Sequence, residues 1–542
     1  MRRTTALPIA ALLLLTACTS PAKPTPNGSE PPFLRGSGTL RVLAGSELAD
    51  LAPILAQARD ATGVTVTLAQ TGTLDGIELV ASGAAGQHYD AIWFSSNRYL
   101  ELYPAAATRL EVSAKVANSP VVLGLRAAVA ARLGWDRHRP TWSEIASAAG
   151  ERRFSYAMTN PAASNSGYSA LVGVAAALAG TGRALTTAEV TALTPRLRSF
   201  FAGQSLTAGS SGWLADAYVQ RLSSAQPVDG LVNYESVLLS LNASGKLPEP
   251  LTVIYPADGV VTADYPLTLL SGANEHSRAN FAAIADYLRR PSVQRQLMER
   301  TFRRPAVPGV ALGPAFGPAD GRLVELPFPT RADVAHALVT GFGNALRRPA
   351  RTIYLLDTSG SMRGARLAGL QSALLGLSGV DTSLSGELTR FNGREQVLLI
   401  PFSTGVGEPH RFDLPETGAQ PVLDQIRGYV STLAANGDTA IYDALVRGFQ
   451  WAAQLDNAEP DRFTTIVLLT DGERTVGRDL AAFQTFHSGL TPALRTVPVF
   501  TVLFGEGNVT EMLQVATITG GRTFDARSGT LAAAFKEIRG YQ

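Results

Sequence analysis

The sequence predicts an α/β protein with two folded domains, each built around strands that end in polar loops. Between about residues 39 and 320, short apolar runs such as 40–44 and 64–68 alternate with helical patterns. The same alternation returns between residues 346 and 542. Strands that alternate with helices favour parallel sheets joined by crossover helices. A segment rich in proline and glycine, residues 303–330, separates the two regions and is typical of a linker.

The composition gives no indication of nucleic-acid binding, of disulfide bonds within the chain or of a zinc site. The chain has 542 residues and a formal net charge of +2, and its basic residues are scattered rather than gathered in a stripe. Nothing in this distribution points to nucleic acid. Cys18 is the one cysteine, so no disulfide can form within the chain. The six histidines are dispersed, and none of them pairs at the spacing of a zinc site.

The N-terminus has the form of a secretory signal. Arg2 and Arg3 precede the apolar run 6–15, which is too short to cross a bilayer as a mature helix. The run leads to Leu-Thr-Ala-Cys ending at Cys18, which resembles the lipobox of bacterial lipoproteins. The resemblance implies cleavage before a diacylated, palmitate-bearing Cys18, and an extracytoplasmic protein held by lipid on the cell membrane. A secreted chain without lipid is the alternative.

Polar side chains follow the strands of the first region at the points where those strands end. Ser46, Thr73 and Ser95 each follow an apolar run. Each lies beside a predicted helix start, where free backbone amides and the helix dipole favour an anionic or carbonyl ligand. This region is therefore predicted to bind a small ligand at the carboxyl edge of its sheet.

Several segments of the first region resemble the type II class of bacterial extracellular solute-binding proteins. They are Gly45-Ser46, Tyr89-Asp90-Ala91, Ser95-Ser96, Ser119-Pro120-Val121-Val122, Thr141-Trp142, 160–167, 232–236 and 254–259. The resemblance implies a two-lobed domain whose cleft binds a small molecule, a peptide or a glycan fragment. Carried over to this sequence, the ligand candidates are Ser46, Thr73, Ser95, Ser164, Ser166 and Tyr234. Each could instead be an ordinary helix N-cap or turn residue.

In the second region, the apolar run 353–356 is followed by Asp357-Thr358-Ser359-Gly360-Ser361 and then by a helical pattern. A strand, a tight turn and a helix start leave the side-chain oxygens at the carboxyl edge of a sheet, where ligands bind in open α/β sheets. One carboxylate and two hydroxyls are hard donors, which suit Mg²⁺, Ca²⁺ or Mn²⁺ rather than zinc or copper.

Two further residues extend this pattern. Thr439 comes just before another helical pattern, and Asp471 follows a second apolar strand. The series Asp357, Ser359, Ser361, Thr439, Asp471 resembles the metal-ion-dependent adhesion site (MIDAS) of von Willebrand factor A (VWA) domains. The resemblance covers roughly residues 345–542 and implies a doubly wound, Rossmann-like fold. It also implies direct binding of the ion by the two serines, by Thr439 in some states, and by the two aspartates through water. A plain helix N-cap is the alternative.

Together these features predict a lipid-anchored surface protein that binds rather than catalyses. The VWA domain would engage a Glu or Asp of a protein partner through the metal, and the first domain would bind a small solute or peptide. The alternatives are the substrate-binding receptor of an ABC-type uptake system with an accessory VWA domain, and a metal-dependent hydrolase. The last lacks a histidine base in the metal-site loops. The predicted layout is signal peptide 1–17, tether 18–38, solute-binding-like domain 39–320, linker and helix 321–345, and VWA domain 346–542.

Overall fold

The computed structural model describes residues 32–224, 226–318, 322–505, 508–527 and 530–542. The predicted signal peptide and Cys18 lie outside these residues. The described chain forms three sheets, of five, seven and six strands, with helices packed around them. The first two sheets belong to the two lobes of the N-terminal domain, and the third belongs to the C-terminal domain.

The first lobe has a mixed sheet. In spatial order its strands are Val64–Gln70, Gly38–Ala44, Ala91–Trp93, Pro266–Leu270 and Leu110–Lys115. The first three strands are parallel, as the sequence predicts, whereas Pro266–Leu270 is antiparallel to both of its neighbours. That strand returns from beyond the second lobe, which explains why the sheet is not parallel throughout. The helices of this lobe are Ser46–Leu51 (3₁₀), Ala52–Thr62, Thr73–Ser82, Ala85–His88, Arg98–Glu101, Pro104–Ala107, Glu275–Leu288 and Pro291–Thr301.

The second lobe is built on the long strand Ala117–Arg126. The main path of its sheet runs Thr262–Ala263, Ala117–Arg126, Gly230–Tyr234, Tyr156–Thr159 and Gln204–Ala208, while Leu251–Ile254 and Arg304–Pro305 also pair with Ala117–Arg126. Its helices are Ala127–Leu133, Trp142–Gly150, Asn165–Ala179, Thr187–Ala192, Thr194–Ala202, Ser211–Leu222 and Glu235–Ala243. The chain crosses between the lobes more than once, so both are needed to complete the domain.

The proline- and glycine-rich segment packs along the second lobe. Arg304 donates hydrogen bonds of 2.6 and 2.7 Å to the two carboxylate oxygens of the buried Glu235. Further along, the amide of Val260 donates to the carbonyl of Val324. The helix Ala332–Gly341 and the π-helical turn Phe342–Leu346 then lead into the C-terminal domain.

The C-terminal domain is a doubly wound α/β unit. Its strands lie in the order His410–Asp413, Gln396–Phe402, Ala350–Asp357, Phe463–Thr470, Val499–Leu503 and Thr523–Asp525. All of them are parallel except the edge strand His410–Asp413. The helices are Gly360–Met362 (3₁₀), Ala365–Leu375, Gly376–Val380 (π), Leu384–Thr389, Gln420–Val430, Ile441–Ala458, Leu480–Ser488, Leu494–Thr496 (3₁₀), Val509–Thr519 and Leu531–Arg539.

The central strand Ala350–Asp357 shows why this sheet forms. All of its residues are buried, and side chains alternate between the two faces of a strand. Tyr354 therefore joins a core that includes Phe535 of the last helix, whereas Ile353 joins a second core that includes Phe449. A strand buried on both faces is typical of a parallel sheet covered by helices. This architecture confirms the predicted fold class. No helix among the described residues is both long and apolar enough to cross a bilayer.

Candidate metal centre and solute cleft

The loop after the central strand places two serines beside Asp357, the last residue of that strand. The amide of Ser359 donates a 2.8 Å hydrogen bond to Oδ1 of Asp357, and the hydroxyl of Thr470 donates one of 2.8 Å to Oδ2. Both carboxylate oxygens are therefore held in place. Burial raises the pKa of Asp357, hydrogen bonds from Ser359 and Thr470 lower it, and the charge of Asp471 raises it further.

A chain of short contacts links this loop to the next strand. The hydroxyl oxygens of Ser359 and Ser361 are 2.9 Å apart, and the Ser361 hydroxyl donates a 2.8 Å bond to Oδ1 of Asp471. Asp471 follows Phe463–Thr470, which pairs directly with the central strand. The carboxyl ends of adjacent parallel strands lie at one edge of the sheet, and this brings together the side chains of Asp357, Ser359, Ser361 and Asp471.

Thr439 reaches the same edge from a third loop. The amide of Gly360 donates a 2.8 Å bond to the carbonyl of Gly437, which joins the serine loop to the loop of Thr439. The amide of Thr439 donates a 2.8 Å hydrogen bond to the hydroxyl oxygen of Thr475, which holds the backbone of Thr439 in place. Thr439 is buried. The structure thus brings all five predicted metal-site residues to the same edge of the sheet.

Sequence reasoning missed Arg366. Its Nη1 donates a 2.6 Å hydrogen bond to Oδ2 of Asp471, and the guanidinium is 40% exposed while the carboxylate is fully buried. Arg366 lies in the first turn of the helix Ala365–Leu375, which starts close after the serine loop. The sequence position of Arg366 could have identified it, because a side chain in the first turn of the helix after the serine loop stays near the sheet edge.

The donor set fits a hard divalent cation. Two carboxylates and hydroxyl groups supply only oxygen, the ligand type that Mg²⁺ and Ca²⁺ prefer. Across the described residues, no group of three or more His, Cys, Asp or Glu side chains is placed to hold a metal ion. The centre around Asp357 has two carboxylates, so ion binding there requires the serine and threonine hydroxyls as well.

The solute cleft is a cavity of about 500 Å³ at the junction of both lobes and the C-terminal domain. Four of the predicted ligand residues line it: Ser46, Ser95, Ser164 and Tyr234. The phenol of Tyr234 donates a 2.8 Å hydrogen bond to the hydroxyl of Ser95, so residues of the two lobes meet directly. The lining also includes four acidic side chains that sequence reasoning did not select: Glu47, Asp75, Asp525 and Glu537.

The remaining two predicted ligand residues are Ser166 and Thr73. Ser166 is buried and is not among the lining residues, because its hydroxyl is within 2.7 Å of the hydroxyls of Thr159 and Ser211. Its position is explained by internal hydrogen bonding of the second lobe. The side chain of Thr73 lies outside the described part of the chain, although its backbone begins the helix Thr73–Ser82.

The C-terminal domain covers the cleft, which the sequence did not predict. The side-chain amide of Asn160 donates a 3.1 Å bond to the carbonyl of Arg539 in the last helix. The ring of Trp213 meets that of Tyr541 edge-on, with centroids 4.7 Å apart. On the other lobe, the amide of Ser385 donates a 2.7 Å bond to Glu78. The C-terminal domain therefore contacts both lobes and forms part of the wall of the cavity between them.

Comparison with known proteins agrees with this division. Residues 352–473 match a family described as the von Willebrand factor type A domain. The C-terminal domain is a VWA domain. Over 132 residues, or 24% of this chain, it is 34% identical to inter-alpha-trypsin inhibitor heavy chain H4 of Sus scrofa and 30% identical to heavy chain H3 of Rattus norvegicus. The aligned part spans only 13% and 14% of those two relatives.

The N-terminal part resembles periplasmic binding proteins. One is AfuA from Actinobacillus pleuropneumoniae, whose structure contains fructose-6-phosphate. The similarity covers 57% of this chain and 98% of that protein, at 12% identity and a TM-score of 0.44. The periplasmic thiamin binding protein covers 60% of this chain with the same TM-score.

Proposed function

We propose that this chain is a lipid-anchored binding protein on the outer face of the bacterial cell membrane. Its VWA domain binds a protein partner through a divalent ion at a MIDAS, and its N-terminal domain binds a small solute or peptide. The observation that carries the first part is the chain of contacts from Asp357 through Ser359 and Ser361 to Asp471. Support for the second is the 500 Å³ cavity lined by both lobes.

The protein's own groups prepare the metal centre. Ser359 and Ser361 offer hydroxyl oxygens, which rotate freely enough to present a lone pair. Asp357 is held by two donors, and Asp471 is held by Ser361 and Arg366. A divalent ion bound by so few charged ligands would supply an open coordination position for a partner's Glu or Asp carboxylate. The buried position of Thr439 beside the same edge makes it a further ligand when its loop shifts.

Binding rather than catalysis is the activity that we propose. The six histidines lie at residues 88, 138, 276, 336, 410 and 487, outside the three loops of the metal centre. A general base must reach its proton within hydrogen-bond distance, and these loops provide no imidazole for that role. The lipid anchor at Cys18 and the extracytoplasmic location rest on the lipobox-like sequence.

Thermal unfolding of the purified protein, first stripped with EDTA, tests the metal centre. Mg²⁺ that binds only the folded state should raise the melting temperature, with about 2.7 kcal/mol of stabilisation at a hundred times the dissociation constant. We expect this rise in the parent and in Asp438→Asn, whose exposed carboxylate lies in the Thr439 loop. We expect its loss in Asp357→Asn. A parent that does not respond to Mg²⁺, or an Asp357→Asn variant that responds fully, contradicts the proposal.

A further inference from the structure

We infer that the solute cleft is a composite site for a small ligand that carries an ammonium group, with walls from both lobes and from the VWA domain. The inference rests on the proposed solute-binding function and names the chemistry of that same site. A volume of about 500 Å³ lies within the range of small-molecule pockets, roughly 300–1,000 Å³. The chemistry of the walls decides what kind of molecule fits.

The basic side chains that line the cavity already have acidic partners. Lys536 lies 2.8 Å from Asp381, and Arg522 lies 3.2 Å from Glu537. Arg539 donates bonds of 2.6 and 2.8 Å to Glu395, whose carboxylate is also 3.8 Å from the lining residue Arg347. Lys536, Arg522 and Arg539 are thus each paired with one carboxylate, and only Arg347, which shares Glu395 with Arg539, adds an uncompensated positive charge.

The acidic side chains are not all neutralised. Asp525 pairs with Arg527 and Glu537 pairs with Arg522. Glu47 and Asp75, in contrast, form no ion pair with any of the described residues, although both line the cavity. The uncompensated charge of the cavity wall is therefore negative. Burial raises the pKa of both carboxyl groups, and the charges of Arg303 near Glu47 and of Lys536 near Asp75 offset only part of that rise.

These two carboxylates favour a ligand of the opposite charge to the one that the loop sequences predict. Hydroxyl groups beside helix starts predict an anionic or carbonyl ligand. Asp75, however, lies in the first turn of the helix Thr73–Ser82, where its own charge complements the positive end of the helix dipole. Glu47 has the corresponding position in the turn that follows Ser46. A free anion would therefore meet carboxylates where it needs amides.

Aromatic rings complete the wall on both sides. Phe94 and Tyr234 come from the lobes, Phe342 from the connecting turn, and Phe524 and Tyr541 from the VWA domain. A cation is attracted to the face of an aromatic ring. Arg522 already lies over Phe524 and Tyr541, 5.2 and 5.5 Å from their ring centroids, so the rings left for a ligand cation are Phe94, Tyr234 and Phe342. Because Phe524, Tyr541 and Glu537 line the cavity and belong to the VWA domain, that domain is part of the binding site.

Paired cationic and neutral probes test the inference on the full protein. The probes are choline with its uncharged carbon isostere, and spermidine with octanediol, all at matched chloride concentration. We expect at least one cation to raise the melting temperature more than its neutral counterpart does. The variants Glu47→Gln and Asp75→Asn should each lower the affinity for that cation by about tenfold or more, which is the effect of losing one charge-assisted hydrogen bond.

Two further variants make the test specific. Asp60→Asn removes an exposed carboxylate of the same lobe and should leave cation binding unchanged. Glu537→Gln leaves Arg522 without its carboxylate partner. The cavity wall then has one more uncompensated positive charge, so the affinity for the cation should fall. Full cation binding in Glu537→Gln contradicts a shared site. Equal effects of cationic and neutral probes, or an advantage of cations that survives in both cleft variants, overturn the inference.

The same preparations separate this inference from the proposed function. If glucose or citrate stabilises the parent and the cations do not, the cleft binds solute but ammonium recognition is wrong. If none of these solutes has an effect, the solute-binding function itself fails. The Mg²⁺ response, measured in parallel, reports the metal centre separately from both outcomes.

Discussion

Glu395 is a fully buried carboxylate that holds the last helix of the VWA domain against its sheet. Arg539 of that helix donates hydrogen bonds of 2.6 and 2.8 Å to its two oxygens, and the amide of Asn392 adds one of 3.0 Å. Glu395→Gln keeps the shape of the side chain but leaves the guanidinium of Arg539 as an unpaired buried charge. Breaking a buried pair in this way costs about 3–5 kcal/mol. For a domain of this size, we expect the melting temperature to fall by roughly 6–20 °C.

Urea unfolding followed by circular dichroism measures the effect on the free energy of unfolding. The matched control is Glu416→Gln, which breaks an ion pair with Arg198 between side chains that are 46% and 40% exposed. Exposed pairs contribute about 0–1 kcal/mol, so the control should unfold close to the parent. If Glu395→Gln costs no more than the control, the reasoning about the buried pair is refuted.

The same pair predicts a dependence on pH. Burial raises the pKa of Glu395, but the charges and hydrogen bonds of Arg539, with Arg347, outweigh it and hold the pKa below its ordinary value. A carboxyl whose folded-state pKa is lowered stabilises the fold above its unfolded pKa, near 4.3, and that contribution is lost as the pH falls through the folded value. The stability difference between parent and Glu395→Gln should therefore shrink below about pH 4.

Three other substitutions test the sites. Arg366→Gln removes a cation that contacts a metal-site carboxylate, and after discounting for its exposure we expect Mg²⁺ to bind about tenfold more tightly by calorimetry; weaker binding would show that the arginine orients that carboxylate. Gly437 has a φ of +76°, and an added Cβ would lie 2.5 Å from the hydroxyl oxygen of Thr404. Gly437→Ala should cost about 1–3 kcal/mol and weaken Mg²⁺, while Gly428→Ala, with open space around it, should do neither. Ser166→Ala should lower the free energy of unfolding by about 1–3 kcal/mol without changing solute binding, and a loss of solute affinity at full stability would place its hydroxyl in the site after all.

The sequence determined the strands of the VWA domain and the residues of its candidate metal centre. Strand residues such as 353–356 are apolar on both faces, which requires burial in the middle of a sheet. Asp357 and Asp471 each end such a strand, and strand ends of a parallel sheet meet at one edge. The apolar run 353–356 lies within the buried strand Ala350–Asp357 of the structure. These features are local, so a pattern of a few residues specifies them.

Only the tertiary structure decided which domains line the solute cleft and which charged side chains lie in it. The contact between Asn160 and Arg539 joins residues that are 379 positions apart, and no periodicity in the sequence encodes it. Whether a carboxylate such as Asp75 is neutralised depends on which side chains reach it after both domains pack together. The sequence places Arg366 near the sheet edge, but its pairing with Asp471, 105 positions away, is set by the packing of the two segments. Local patterns fix where polar groups leave the strands, but the pairing of charges is set by packing between distant segments.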